Sequence, residues 1–289
     1  RERIALGNHL SNHVLKAIDY DLKNTVFSFI PNTAEIAFYG LLKGMEDYLN
    51  KIKVQRILSW GKEYEEDKLA EMINRRIRVE KIANKDVKMR TFITEDVSRK
   101  EMVQHVYDIT YGSIRKGEDT IVVIDDSIVR GTTLRESIIK MVSRLEPKRM
   151  IIVSSAPQIR YPDCYGIDMS RMNEFIAFPA AVTLLREQNK AHVLEDLYKK
   201  CKEMERNNQL HLENVVRGVY KPFTAEDISR KIAQLVTPAD VKVPVEIIFQ
   251  TIEDLHESCP TNTGDWYFTG NYPTSGGNRV VNKAFINFM

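Results

Sequence analysis

The sequence predicts an α/β protein with a central, mostly parallel sheet flanked by helices and carrying helical insertions. Two apolar runs rich in β-branched residues carry that prediction, TIVVI at 120–124 and MIIVS at 150–154. Neither alternates polar with apolar residues, as expected of strands buried on both faces. A helical pattern over 134–145 lies between them. Strand, helix and strand with short connections form a right-handed parallel unit. Composition agrees: of 289 residues 43% are apolar and 28% charged, which excludes a disordered or fibrous chain.

Taken in order, Ile4, Leu10, Val14 and Ile18 recur at helical spacing, so an amphipathic helix opens the chain and ends near Asp19. TVFSFI at 25–30 reads as a strand stopped by Pro31. A helix over 34–49 follows, with Ile36, Tyr39 and Leu42 on its apolar side. Residues 63–84 read as a charged surface helix, with Leu69, Met72, Ile73 and Ile77 on one face. A strand is expected at 91–93, a polar loop over 94–100 and a helix over 100–113. Beyond the parallel unit, helices are expected over 193–207 and 224–235, and a strand plus a helix over 244–255. Residues 261–278, rich in Gly, Asn, Thr and Pro, read as loops.

Charge and cysteine content narrow the function classes. Lys plus Arg number 42 against 40 acidic residues, a formal charge of +2. So small a bias supplies no whole-protein field for nucleic acid or an acidic membrane. Cys164, Cys201 and Cys259 are scattered and odd in number, with no CxxC pair, so a disulfide framework is not expected and a reducing, cytoplasmic home is. No apolar run nears the roughly 18 residues of a membrane span, and no signal-peptide core opens the chain. Arg1 already lies inside a helical pattern, which suggests a piece of a longer protein.

The chemistry concentrates in Asp125, Asp126, Ser127, Ile128, Val129, Arg130, Gly131, Thr132 and Thr133, at the end of a predicted parallel strand, where such sheets bind ligands. Two adjacent carboxylates accept hydrogen bonds from a vicinal diol or hold a hard cation. The following helix start offers unpaired N–H groups and a partial positive charge to an anion. Gly131 permits close approach or unusual dihedrals. The hydroxyls of Ser127, Thr132 and Thr133 add donors, and Arg130 a cation. A diol site beside an anion cradle suits a ribose 5-phosphate. The same residues also suit a plain strand, turn and helix cap, with Thr132 or Thr133 as the cap.

The string VVIDDSIVRGTT resembles the phosphoribosyl-pyrophosphate (PRPP) signature of type I phosphoribosyltransferases, and in this form that of the amidophosphoribosyltransferase family. The block 155–169, ending in YGIDM, resembles the segment after that family's next strand. Residues 90–93 (RTFI) resemble the start of its flexible loop, and 268–274 (FTGNYPT) its C-terminal tail. The resemblance implies a type I phosphoribosyltransferase fold. It implies attack of ammonia on PRPP, giving 5-phosphoribosylamine and pyrophosphate in the first step of purine synthesis. Asp125, Asp126 and Arg90 become catalytic candidates, Ser127–Thr133 and Arg99 PRPP-binding ones, and Thr33 joins Asp125 and Asp126 as candidate Mg²⁺ ligands. It further implies an upstream glutaminase domain that these residues do not include, purine nucleotides as feedback inhibitors, and a homo-oligomer. The core is expected at 1–185 with a helical insertion at 51–84, a second insertion at 186–243, and a closing segment at 244–289.

Departures from the family pattern are specific. Iron–sulfur members carry cysteines where Asp163, Gly264 and Tyr267 stand here, so no cluster is expected. The family's KNRYVGRTF pattern is replaced by NKDVKMRTF at 84–92, and its KLN signature by Val106, Tyr107 and Asp108. Two rival readings follow: a non-catalytic relative that binds PRPP or nucleotides as a regulator, and a nucleobase-salvage transferase. His9 and His13 lie four apart without the Glu of a metalloprotease helix, and read as structural or surface residues. Lys199, Lys200 and Lys202 read as an exposed helix face, and Trp266, Tyr267 and Phe268 as packing for the tail.

Overall fold

The computed structural model describes residues 1–31, 33–61, 65–85, 107–109, 112, 114–164, 169–261 and 264–289. Contacts divide the chain into two compact units. One comprises 1–126, 141–155 and 242–244; the other comprises 127–140, 156–241 and 245–289.

The first unit holds helices α1 (Glu2–Ala17), α2 (Glu35–Ser59) and α3 (Glu66–Asn74). Its sheet contains β1 (Thr25–Phe29), β2 (Arg78–Val79), β5 (Thr120–Asp125) and β6 (Arg149–Ser154), in the order β2-β1-β5-β6 and parallel throughout. A separate antiparallel pair joins β3 (Ala83–Lys85) to β4 (Tyr107–Ile109). Val26, Phe27, Ile121–Ile124 and Met150–Val153 are all buried, as expected of strands covered on both faces. This is the parallel α/β arrangement that the two apolar runs predict.

Asp119 anchors the foot of β5. Its side chain is fully buried and accepts from Arg78 Nη1 and Nη2 at 2.6 and 2.8 Å, from the Arg115 backbone N–H at 2.8 Å, and from Arg115 Nη2 at 2.6 Å. Burial alone would raise this carboxyl; the donors from Arg78 and Arg115 outweigh it and hold the pKa at about 2.

Helices α1 and α2 touch backbone to backbone. A Cβ at Gly7 would run into the Ala37 carbonyl, and one at Gly40 into that of Ile4. That contact sets the face α2 buries, which is Ala37, Phe38, Gly40, Leu41, Met45 and Leu49. Ile36 and Tyr39, expected on the apolar side, are 45% and 54% exposed. Ile4 is likewise exposed. The helix also runs past residue 49 to Ser59, because nothing in 50–59 breaks it.

The single helix expected over 63–84 is not there. Helix α3 stops at Asn74, and Lys53 Nζ donates to the Ile73 and Arg75 carbonyls at 3.1 and 2.7 Å, satisfying acceptors at that end. Arg78 is then needed in β2 beside β1, where it meets Asp119, and Ala83–Lys85 pairs with Tyr107–Ile109. Part of the helix expected over 100–113 is therefore strand. The strand expected at 91–93 lies outside the described residues.

The second unit is mainly helical. After a π-helical turn at Leu134–Ile138, the chain continues as α4 (Ile139–Ser143), where the unit boundary falls. Then come α5 (Ala177–Glu187), α6 (His192–Arg206), α7 (Arg217–Tyr220), α8 (Ala225–Val236), strand β7 (Val245–Phe249), α9 (Ile252–Ser258), α10 (Trp266–Thr269) and α11 (Ser275–Phe288). Helix α8 starts with a capping box: Asp227 N–H donates to Thr224 Oγ1 at 3.1 Å while Thr224 N–H donates to Asp227. The loops expected over 261–278 give way to α10 and the start of α11. Phe285 and Val281 of α11 are fully buried, and Phe178 meets Phe285 and Phe288 edge-on. Packing overrides the weak propensity of Gly276 and Gly277 in its first turn.

Candidate functional site

Strand register assembles the first half of the site. Phe29 pairs with Ile124 and Asp125 with Ser154, so β1, β5 and β6 end at one edge of the sheet. The turn after β1 carries Thr33, whose side chain is exposed. Beyond β5, Asp125 is half-buried and Asp126 exposed. Asp125 Oδ1 accepts the Asp126 backbone N–H at 2.8 Å, at the turn just beyond the strand. Ser155 braces this turn: its N–H donates to the Asp125 carbonyl at 2.9 Å and its hydroxyl to the Asp126 carbonyl at 3.1 Å.

Residues 127–133 belong to the second unit. Ile128 is buried, so only its backbone is available to a ligand. The Val129 carbonyl accepts the Ile176 N–H at 2.8 Å and is therefore committed to the fold. Gly131 has φ +71°, the left-handed region, and a Cβ there would come within 2.7 Å of Val236 Cγ1. Both facts demand glycine. Arg135 N–H donates to the Gly131 carbonyl at 3.0 Å, which closes the first helical turn. The N–H groups of Thr132, Thr133 and Leu134 therefore precede the i→i−4 ladder and sit at its positive end. Thr132 and Thr133 are exposed, and Thr133 makes no side-chain cap. The π-helical turn that follows is a feature often found beside functional sites.

Arg130 has a partner in place. Its Nη2 lies 3.1 Å from Glu174 Oε2, both groups being partly exposed. A phosphate at the helix start would compete with Glu174 for it. Arg90 and Arg99 lie outside the described residues. Sequence reasoning missed Ser155 as a contact of the carboxylate turn. Its signal was its place at the end of the neighbouring parallel strand.

Asp163 and Tyr267, two of the positions where the sequence departs from the cysteine pattern it was compared with, are hydrogen-bonded to each other: Tyr267 Oη donates to Asp163 Oδ1 at 3.2 Å. The neighbouring Cys164 thiol is pushed up by burial and by the Asp163 charge, which disfavours the thiolate.

Among the described residues, no helix is long and apolar enough to cross a membrane. No family model matches the chain. It is 48% identical over 61 residues to the amidophosphoribosyltransferase of Pasteurella multocida, covering 21% of this chain and 12% of that protein. With the Escherichia coli protein of the same name it shares 43% over 70 residues, 24% of this chain and 14% of that one. With that of Saccharomyces cerevisiae it shares 30% over 135 residues, 44% of this chain and 26% of that one. These matches thus span about a quarter or less of the relatives' length. The solved structure of glutamine PRPP amidotransferase from B. subtilis, complexed with ADP and GMP, aligns with 94% of this chain and 42% of its own, at 20% identity and a TM-score of 0.49. In sequence, over the matched residues, the family this chain resembles is the amidophosphoribosyltransferases.

Proposed function

We propose that this chain is the phosphoribosyl-transferring half of an amidophosphoribosyltransferase, which transfers the ribose phosphate of PRPP to ammonia. The conformation of 125–133 is the observation that supports it best. A carboxylate pair ends a buried parallel strand, a glycine turns at positive φ, and a helix start follows whose first N–H groups precede the helical hydrogen-bond ladder. In this reading Asp125 and Asp126 accept hydrogen bonds from the ribose hydroxyls. The N–H groups of Thr132, Thr133 and Leu134, with the hydroxyls of Ser127, Thr132 and Thr133, hold the 5-phosphate.

Ammonia attacks C1 of the ribose as pyrophosphate leaves, and C1 develops oxocarbenium-like charge. No covalent nucleophile is required; the chain contributes positioning and charge stabilisation. Arg90 and Arg99 are the candidate cations on the pyrophosphate side. Asp125, Asp126 and the Thr33 hydroxyl are oxygen donors of the kind a hard cation takes, but too few for a tight site without the substrate's own phosphates. Mg²⁺ held there would neutralise charge on the leaving pyrophosphate. Excluding water matters because hydrolysis of PRPP competes.

The same reading gives the chain an upstream glutaminase domain as ammonia source, purine nucleotides as feedback ligands, a homo-oligomeric state and a cytoplasmic location. The test is pyrophosphate release from PRPP and Mg²⁺ with ammonia, run beside free nucleobases. Ammonia-dependent release supports the proposal, and release that requires a nucleobase contradicts it. Binding of PRPP without turnover would favour the regulatory relative, for which the altered sequences at 84–92 and 106–108 are the motive.

A further inference from the structure

The second unit contains a cavity of about 610 Å³, within the range of small-molecule sites, walled by α7, the start of α9 and the end of α10. Its lining includes Arg160, Arg217 and Lys221 and, among the described residues, no carboxylate. Among the described residues, the two arginines are met by neutral oxygens. Arg160 Nε and Nη2 both donate to Gln158 Oε1, at 3.1 and 2.7 Å, and Arg217 Nη1 donates to Asn271 Oδ1 at 3.1 Å. Gln158 is itself fixed, because its Nε2 donates to the Ala225 carbonyl and to Ser229 Oγ, both at 2.8 Å. That amide orientation turns Oε1 toward Arg160.

Arg160 is also held from its other sides. Its guanidinium lies 5.2 Å from the Tyr220 ring centroid, and its carbonyl accepts the Tyr220 hydroxyl at 2.8 Å. Its N–H donates to the Tyr267 carbonyl at 2.8 Å. A cation positioned this firmly, with no ion-pair partner among the described residues, is preorganised for an anion. Phe223, Ile252 and Phe268 give the same cavity an apolar part, each only partly buried, beside the polar Thr269 and Asn271.

We infer that this cavity is a second ligand site, distinct from residues 125–133, for a small molecule bearing a phosphate at one end and a flat, apolar ring. Arg160, Arg217 and Lys221 take the phosphate, and Phe223, Phe268 and Ile252 cover the ring. Arginine's planar fork suits a phosphate geometrically, and lysine adds a point charge.

The experiment is calorimetric titration of the full chain with phenyl phosphate, inorganic phosphate and phenol. Phenyl phosphate is expected to saturate and to bind at least about tenfold more tightly than either fragment, which is about 1.4 kcal/mol. Arg217→Ala with Lys221→Ala, two exposed positions, is expected to weaken it at least about tenfold while the circular dichroism spectrum stays unchanged. Arg217 and Lys221 have no part in the proposed reaction, so a loss in this variant places the binding in this cavity and apart from residues 125–133. No saturation by phenyl phosphate, inorganic phosphate binding equally well, or undiminished binding to the Arg217/Lys221 variant would each overturn the proposal.

Discussion

Tyr267 donates its hydroxyl hydrogen to Asp163 at 3.2 Å, joining residues 104 apart in sequence. Burial raises the Tyr267 phenol and the Asp163 charge raises it further, so it stays protonated as the donor at neutral pH. The Tyr267 carbonyl also accepts N–H groups from Arg160 and Tyr161, at 2.8 and 3.1 Å. The tail is thus held to the 160–163 segment by ordinary hydrogen bonds.

Tyr267→Phe is accordingly expected to cost about 0.5–1.5 kcal/mol, the usual net worth of one hydrogen bond. A urea melt measures it. The purified chain is expected to carry no stoichiometric iron or acid-labile sulfide, since its three cysteines fall short of the four thiolates such clusters take. Metal and sulfide analysis checks this.

Asp119 makes stability acid-sensitive. Its folded pKa of about 2 lies below the ordinary value of 3.8, so its stabilisation is complete above that value and is lost as pH falls through 2. The shift corresponds to about 2 kcal/mol. Asp119→Asn is expected to lower stability at pH 7 by at least about that amount, because Arg78 and Arg115 lose their shared acceptor. It should also flatten the acid limb of the stability–pH curve. Chemical denaturation at a series of pH values reads both effects.

Asn282 is the corresponding knot of the second unit. Fully buried, it accepts the Val215 N–H at 3.0 Å and donates to the carbonyls of Leu210 and Glu213 at 2.9 and 2.7 Å. Asn282→Ala strands these backbone groups and is expected to cost about 2–4 kcal/mol. Asn282→Asp keeps the acceptor and loses the amide donor. Thermal melts of both variants, each below the parent, are the expected outcome.

Gly131→Ala places a Cβ at φ +71°, 2.7 Å from Val236 Cγ1. Backbone strain alone costs of order 1–2 kcal/mol. Affinity for an anion at the helix start should fall with it, since the turn aims those N–H groups. PRPP titration against the parent chain measures the loss.

The strands β5 and β6 were legible because burial on both faces leaves an unbroken apolar run that few other structures produce. The carboxylate–glycine–threonine segment was legible because its chemistry is contiguous. The buried face of α2 was not: Gly7 and Gly40 fix its rotation through a helix–helix contact, and spacing within one helix does not reveal it. The break after Asn74 was hidden too, since Arg78 acts through Asp119, 41 residues away. Ser155 and the Tyr267–Asp163 bond likewise exist only through register and tertiary packing. Helix α11 was read partly as loop from its composition, whereas its buried face is set by Phe178.

The most direct measurement is PRPP binding in the presence of Mg²⁺, by calorimetry, to the full chain and to the chain carrying Asp125→Asn and Asp126→Asn. Saturable binding by the parent and at least about tenfold weaker binding by the variant are expected, with both chains equally folded by circular dichroism. Equal affinity in the two chains, or no saturable binding by the parent, would contradict the assignment of 125–133 as the ribose-phosphate site.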